Sequence, residues 1–134
     1  MDLETYRESV TEMLETAREH RVRPVVLSTT VIEEDPESAQ NRRLRPYNAT
    51  LEELARQFEA PFIDLNAPFH AAIAAHRQVS GDANDWLTTD GVHLNAHGNF
   101  LMALVILTGL GIPRAVQEEV RETIRRSQAP AVPR

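Results

Sequence analysis

The chain has 134 residues, 42% of them hydrophobic and 25% charged, which is the balance of one globular domain rather than of a disordered segment. Its 20 acidic and 14 basic side chains leave a formal charge of −6, and the basic residues are scattered, which argues against nucleic acid or an anionic membrane surface as a partner. Cysteine is absent, so disulfides, thiol nucleophiles and thiolate metal sites are excluded and any chemistry rests on oxygen and imidazole.

The start, Met1-Asp2-Leu3-Glu4, lacks the basic-then-apolar pattern of an export signal, so the cytoplasm is the default expectation. Residues 3–20 place Tyr6, Val10, Met13, Leu14 and Ala17 at helical spacing and predict an amphipathic helix. The β-branched run 24–29, Pro24-Val25-Val26-Leu27-Ser28-Thr29, predicts a parallel strand covered on both faces. Residues 30–45 contain Glu33-Glu34-Asp35-Pro36-Glu37-Ser38 and Arg42-Arg43, and predict an exposed, mobile, solvated loop. A second helix is expected over 46–59, with Pro46 in its first turn and Leu51, Leu54, Ala55 and Phe58 on one face.

A second strand is expected over 61–65, a helix over 67–79 and a loop over 80–89. Residues 96–110 form a helix that is apolar almost all round, and a core position is expected for it. The apolar run 100–112 falls short of the ~20 residues that span a bilayer, so no membrane span is expected. A last helix, 113–126, should turn Val116, Val120 and Ile124 inward, and the tail 129–134 should fray. No internal repeat or domain boundary is visible, so residues 1–128 read as one unit.

Helices alternating with strands imply an α/β architecture with a parallel sheet and right-handed crossovers. Two strands alone leave open edges and uncovered faces, so the chain reads as part of a larger sheet whose N-terminal strands are missing.

The segment Asp90-Gly91-Val92-His93-Leu94-Asn95-Ala96-His97-Gly98-Asn99 carries the chemistry. A carboxylate and an imidazole three residues apart bracket a glycine-containing turn ahead of a core helix. Asp90 bonded to one ring nitrogen of His93 would fix the tautomer and leave the other nitrogen to take a proton from a nucleophile. Two other readings stand beside it: Asp90 and His93 as turn and helix-capping residues, and a metal site joining Asp90 with His93 and His97. The loop-like stretch 91–95 disfavours a shared helix face for the two histidines, so no metal and no cofactor are expected.

Asp-Gly-Val-His-Leu-Asn-x-x-Gly-Asn before an apolar helix resembles the last conserved block of SGNH/GDSL-type hydrolases. The strand at Pro24 to Ser28, the segment at Tyr47-Asn48 and the strand Phe62-Ile63-Asp64-Leu65 are similar in order and spacing to the C-terminal half of that family's domain. The resemblance implies a flavodoxin-like three-layer α/β/α fold and acyl-ester hydrolysis, with His93 as general base then acid and Asp90 as its orienting partner. It also implies a small ester or acetylated carbohydrate as substrate. The family's Gly-Asp-Ser nucleophile segment has no counterpart, since the only Gly-Asp, Gly81-Asp82, is followed by Ala83. The 134 residues are therefore expected to be inactive alone. They would belong to a longer esterase, or form a non-catalytic module that pairs as a homo-oligomer or with a complementing N-terminal chain.

Among the remaining candidates, Trp86 and Ser28 could line the pocket, although packing suits a lone Trp and local backbone bonding suits a strand-end serine. Asp64 is expected to cap a turn or helix, His97 to lie in a first helical turn, and His70 and His76 to be ordinary surface or partly buried histidines.

Overall fold

The computed structural model describes residues 1–81 and 86–128, and of residues 120 and 123–128 the backbone alone. Helix α1 (Leu3–Glu19) starts where the Asp2 carboxylate accepts the Thr5 N–H at 2.9 Å, which satisfies one of the first-turn donors that a helix cannot pair internally. The chain then enters β1 (Val26–Leu27), α2 (Ala39–Gln57), β2 (Phe62–Ile63), α3 (Asn66–Ser80), α4 (Ala96–Gly109) and α5 (Arg114–Gln128).

The two strands pair in parallel, with Val26 opposite Phe62 and Leu27 opposite Ile63. They are shorter than the runs 24–29 and 61–65. The ladder closes through Val26 N–H to the Pro61 carbonyl at 2.9 Å and Ser28 N–H to the Ile63 carbonyl at 3.1 Å, while Pro24 and Pro61 have no N–H to extend it. Alternation sends the side chains to opposite faces. Val26 and Phe62 pack with Leu14 of α1 and Leu51, Leu54 and Ala55 of α2. Ile63 lies on the other face, where a Cβ on Gly109 of α4 would meet the Ile63 side chain at 2.7 Å. Helices thus cover both faces of a parallel sheet, the α/β/α layering that the resemblance implies.

A second core cluster forms where the chain leaves β1: Val31, Phe69, Ile73 and Leu87 are buried, with Trp86, Leu94, Leu101 and Met102 packed against them. Each such side chain contributes about 1.5–3 kcal/mol on full burial. This cluster supports the segment that carries Asp90 and His93.

Several expectations are corrected. Helix α2 begins at Ala39 rather than 46, because the Ser38 hydroxyl accepts the Asn41 N–H at 3.1 Å and caps it there, and Pro46 lies inside the helix. The segment 30–38 is therefore only partly exposed and is anchored by hydrogen bonds. Val31, Glu34 and Ser38 are buried, and the buried Asn41 side chain holds the Ile32 N–H (2.9 Å) and the carbonyls of Glu33 (3.1 Å) and Asp35 (2.7 Å). Helix α4 is not a fully buried core helix. Gly98 is its one buried residue, and Phe100 is 42% exposed.

In α5, Val116 faces outward and Gln117 is the buried residue among the described side chains, donating to the Ile112 carbonyl at 2.7 Å. The inward placement of Val120 and Ile124, the tail 129–134 and residues 82–85 of the predicted loop lie outside what is described. Among the described residues, no helix is long and apolar enough to cross a membrane.

Candidate active site

Residues 86–95 fold back as a tight turn between the core and α4. Thr88 and Leu94 form an antiparallel bridge, the Thr89 N–H donates to the His93 carbonyl at 2.8 Å, and the Asn95 N–H donates to the Leu87 carbonyl at 2.9 Å. At its tip Gly91 takes φ 85°, the left-handed conformation that glycine adopts without a Cβ clash. The Asn95 carboxamide joins turn to helix. Its oxygen accepts the N–H groups of His97 (2.9 Å) and Gly98 (3.1 Å), capping α4, and its nitrogen donates to the carbonyls of Trp86 (2.9 Å) and Thr88 (3.2 Å).

Within this turn Asp90 Oδ1 accepts the backbone N–H groups of Val92 (3.0 Å) and His93 (2.8 Å), and Asp90 Oδ2 lies 2.7 Å from His93 Nδ1. The His93 backbone N–H, then its ring and the Val92 N–H, stabilise the ionised carboxylate and hold Asp90 down to about 2. The His93 side chain is 79% exposed and that of Asp90 52%. A ring nitrogen paired to a carboxylate and a ring open to solvent is an arrangement that can accept and return a proton.

The segment after β1 grips the turn from the other side. The Glu33 N–H donates to the Gly91 carbonyl at 2.6 Å. The Glu34 carboxylate, 5% exposed as a residue, accepts from the backbone N–H groups of Trp86 (3.1 Å), Leu87 (2.6 Å) and Thr88 (2.8 Å) and from the Thr88 hydroxyl (3.0 Å). Reading residues 33–37 as a solvated acidic run misses Glu34. Val31, three residues ahead, is buried in the cluster that also holds Leu87, but nothing in the local sequence marks Glu34 itself.

Ser28 is 4% exposed, and its Oγ accepts from the N–H groups of Leu65 (2.7 Å) and Asn66 (3.0 Å) while donating to Asp64 Oδ1 (2.9 Å). That is the satisfied strand-end hydroxyl. Asp64 Oδ1 also takes the Asn66 N–H at 2.9 Å at the start of α3. Trp86 is partly buried with its ring stacked 4.5 Å from that of His76, and it packs on the second core cluster. His97 sits in the first turn of α4, its ring 6.5 Å from Trp86, whereas His93 precedes the helix, so the two do not share a helix face. Among the described residues, no three His, Asp or Glu side chains gather as a metal site would require. Asn48, expected near a helix start, lies inside α2 and accepts the Thr29 N–H at 2.9 Å.

The model of the GDSL-like Lipase/Acylhydrolase family matches residues 1–100. A search of the curated proteins found no match. Among solved structures the fold is similar to that of the acetyl xylan esterase AlAXEase (TM-score 0.70, 20% identity, 80% of this chain and 55% of that one). It is also similar to LAE5, an α/β hydrolase enzyme from the metagenome of Lake Arreo, Spain (0.68, 20%, 83% and 48%). A third is Axe2, an acetylxylan esterase from Geobacillus stearothermophilus (0.68, 18%, 84% and 48%). The chain spans about half the length of these structures. With the family model covering most of its length, the chain belongs to the GDSL-like lipase/acylhydrolase family.

Proposed function

We propose that this chain carries the acid–base half of a serine ester hydrolase, with His93 as the proton-transferring residue and Asp90 as its orienting partner. The observation behind the reading is the 2.7 Å approach of Asp90 Oδ2 to His93 Nδ1 on a ring that stays open to solvent. His93 Nε2 takes the proton of a serine hydroxyl as that oxygen bonds to the ester carbonyl carbon. The proton then passes to the leaving alkoxide as its C–O bond breaks. Water repeats the sequence on the acyl-serine and releases the acid.

The serine and its oxyanion donors come from a segment other than the one described, since no Gly-Asp-Ser stands in this sequence. The substrate class is a small ester or an acetylated carbohydrate, in keeping with the acetyl xylan esterases among the similar structures, and the chemistry needs no cofactor. The test is the intact mass of the native protein from its source, with fluorophosphonate labelling and deacetylation of acetylated xylooligosaccharides. A mass well above 15.1 kDa, with the label on an upstream serine and acetate released, supports the reading. An unlabelled native protein that releases no acetate overturns it.

A second reading is favoured by open sheet edges and exposed apolar residues. Among the described residues the sheet has two strands with open edges, and Phe100 and Leu104 of α4 and Val25 beside β1 are exposed apolar residues. A chain of 15.1 kDa that sediments as a dimer, or with a separate N-terminal half, would point to a module that pairs with another chain.

A further inference from the structure

A buried carboxylate with no work to do is rare, because taking it out of water costs several kcal/mol unless donors replace the lost solvent. Glu34 meets such donors. The N–H groups of three successive residues, Trp86, Leu87 and Thr88, converge on it, forming the concave anion-binding arrangement that consecutive backbone amides can make. The anion filling that concavity belongs to the protein itself, and it comes from a residue more than fifty positions upstream of the amides it binds.

The contact continues toward Asp90 and His93. The Thr88 hydroxyl donates to Glu34 Oε1 at 3.0 Å and accepts the Gly91 N–H at 3.2 Å, so one oxygen links the buried carboxylate to the tip of the turn. The Gly91 carbonyl is held on the same side by the Glu33 N–H at 2.6 Å. Glu33 itself has φ 63°, a left-handed backbone unusual for a residue with a Cβ. The main chain at Glu34 is anchored in turn, its carbonyl accepting from Arg77 Nη2 at 2.6 Å. Both polar groups of Gly91 are therefore tied to the clamp, and Asp90 and His93 are its near neighbours in the turn.

We infer that Glu34 is a positioning residue that holds the Asp90–His93 pair in register through Thr88 and the amides of 86–88. The role rests on the proposed acid–base reading of that pair. Asp90 and His93 are both exposed, so little packing surrounds their contact beyond the local N–H groups, and the clamp beneath adds rigidity. A glutamine at position 34 keeps the size but replaces one acceptor oxygen by an NH₂ that faces N–H groups, so the three amides lose a common anion.

The test is ¹⁵N NMR of the His93 ring in this chain, compared with Asp90→Asn, Glu34→Gln and Thr88→Ala, each below its melting temperature. The wild-type ring is expected in the Nδ1–H tautomer, with Asp90→Asn losing that bias. Glu34→Gln is expected to move the ring resonances most of the way to those of Asp90→Asn. Thr88→Ala cuts the link to Gly91 but keeps the backbone bonds of Glu34, so it carries the same comparison if Glu34→Gln does not fold. A wild-type ring without the Nδ1–H bias overturns the pair, and this inference with it. A biased wild-type ring that stays unchanged in Thr88→Ala and in folded Glu34→Gln, with only the melting temperature lowered, overturns the positioning role and leaves the pair standing.

Discussion

Gly98 of α4 lies so close to the backbone carbonyl oxygen of Leu87 that a Cβ at position 98 would fall well inside 3.0 Å of it. The obstacle is main chain, which cannot rotate away as a side-chain tip can. Gly98→Ala must therefore push α4 and the 86–95 turn apart. The expected cost is about 1–3 kcal/mol, the usual range for overpacking a closed contact, read as a lowered midpoint in urea unfolding. An unchanged midpoint would contradict this closeness.

The Asp90 carboxylate is expected to titrate near 2 in the folded chain, well below an ordinary aspartate, because the donors of His93 and Val92 favour its charged form. A depressed folded-state value means that the group stabilises the fold above the unfolded aspartate range near pH 4, and that this contribution is lost as pH falls through about 2. Carboxyl ¹³C shifts followed from pH 6 to pH 1.5 measure it. Titration at an unperturbed value would remove the hydrogen bonds from the account.

In a form of the protein that supplies the serine, Asp90→Asn is expected to lower kcat by roughly 10³- to 10⁴-fold with KM little changed, the pattern when the base loses its tautomer and imidazolium partner. Steady-state hydrolysis of 4-nitrophenyl acetate by both variants decides it. An equal rise in KM at constant kcat would assign Asp90 to substrate binding instead.

Ser28→Ala is expected to destabilise the chain by about 1–3 kcal/mol, since the N–H groups of Leu65 and Asn66 lose their shared buried acceptor. Denaturant titration gives the number. Fluorophosphonate should leave Ser28 unmodified, and labelling there would reassign it from support to nucleophile.

The legible part of this chain was the part governed by local rules. Apolar spacing gives α1 and α3 to within a residue or so, and the short apolar runs 24–29 and 61–65 locate both strands, because these depend on which face of a short segment is wet. Asp90 and His93 are legible because the turn that joins them is three residues long. The start of α2 is not marked by Pro46, which lies inside the helix; the Ser38 cap ahead of Ala39 sets it. Glu34 was illegible for a different reason. Its donors lie more than fifty positions away, and no local pattern separates a carboxylate that reaches them from its solvated neighbours Glu33 and Glu37. The exposure of Phe100 is likewise set by what packs on α4, a property of neighbours rather than of the helix.

Asn95 uses one end of its carboxamide to cap α4 and the other to hold the carbonyls of Trp86 and Thr88. The first turn of the helix and the strand of loop ahead of it therefore open together or not at all. In native-state hydrogen exchange, the amides of His97 and Gly98 should share one opening free energy with those of Thr89 and Asn95, which donate to the His93 and Leu87 carbonyls of the turn, a single cooperative unit across a loop–helix boundary. The Asp90–His93 pair is then expected on a patch that either exists whole or is absent, with no half-formed state in which His93 is free while α4 stays capped.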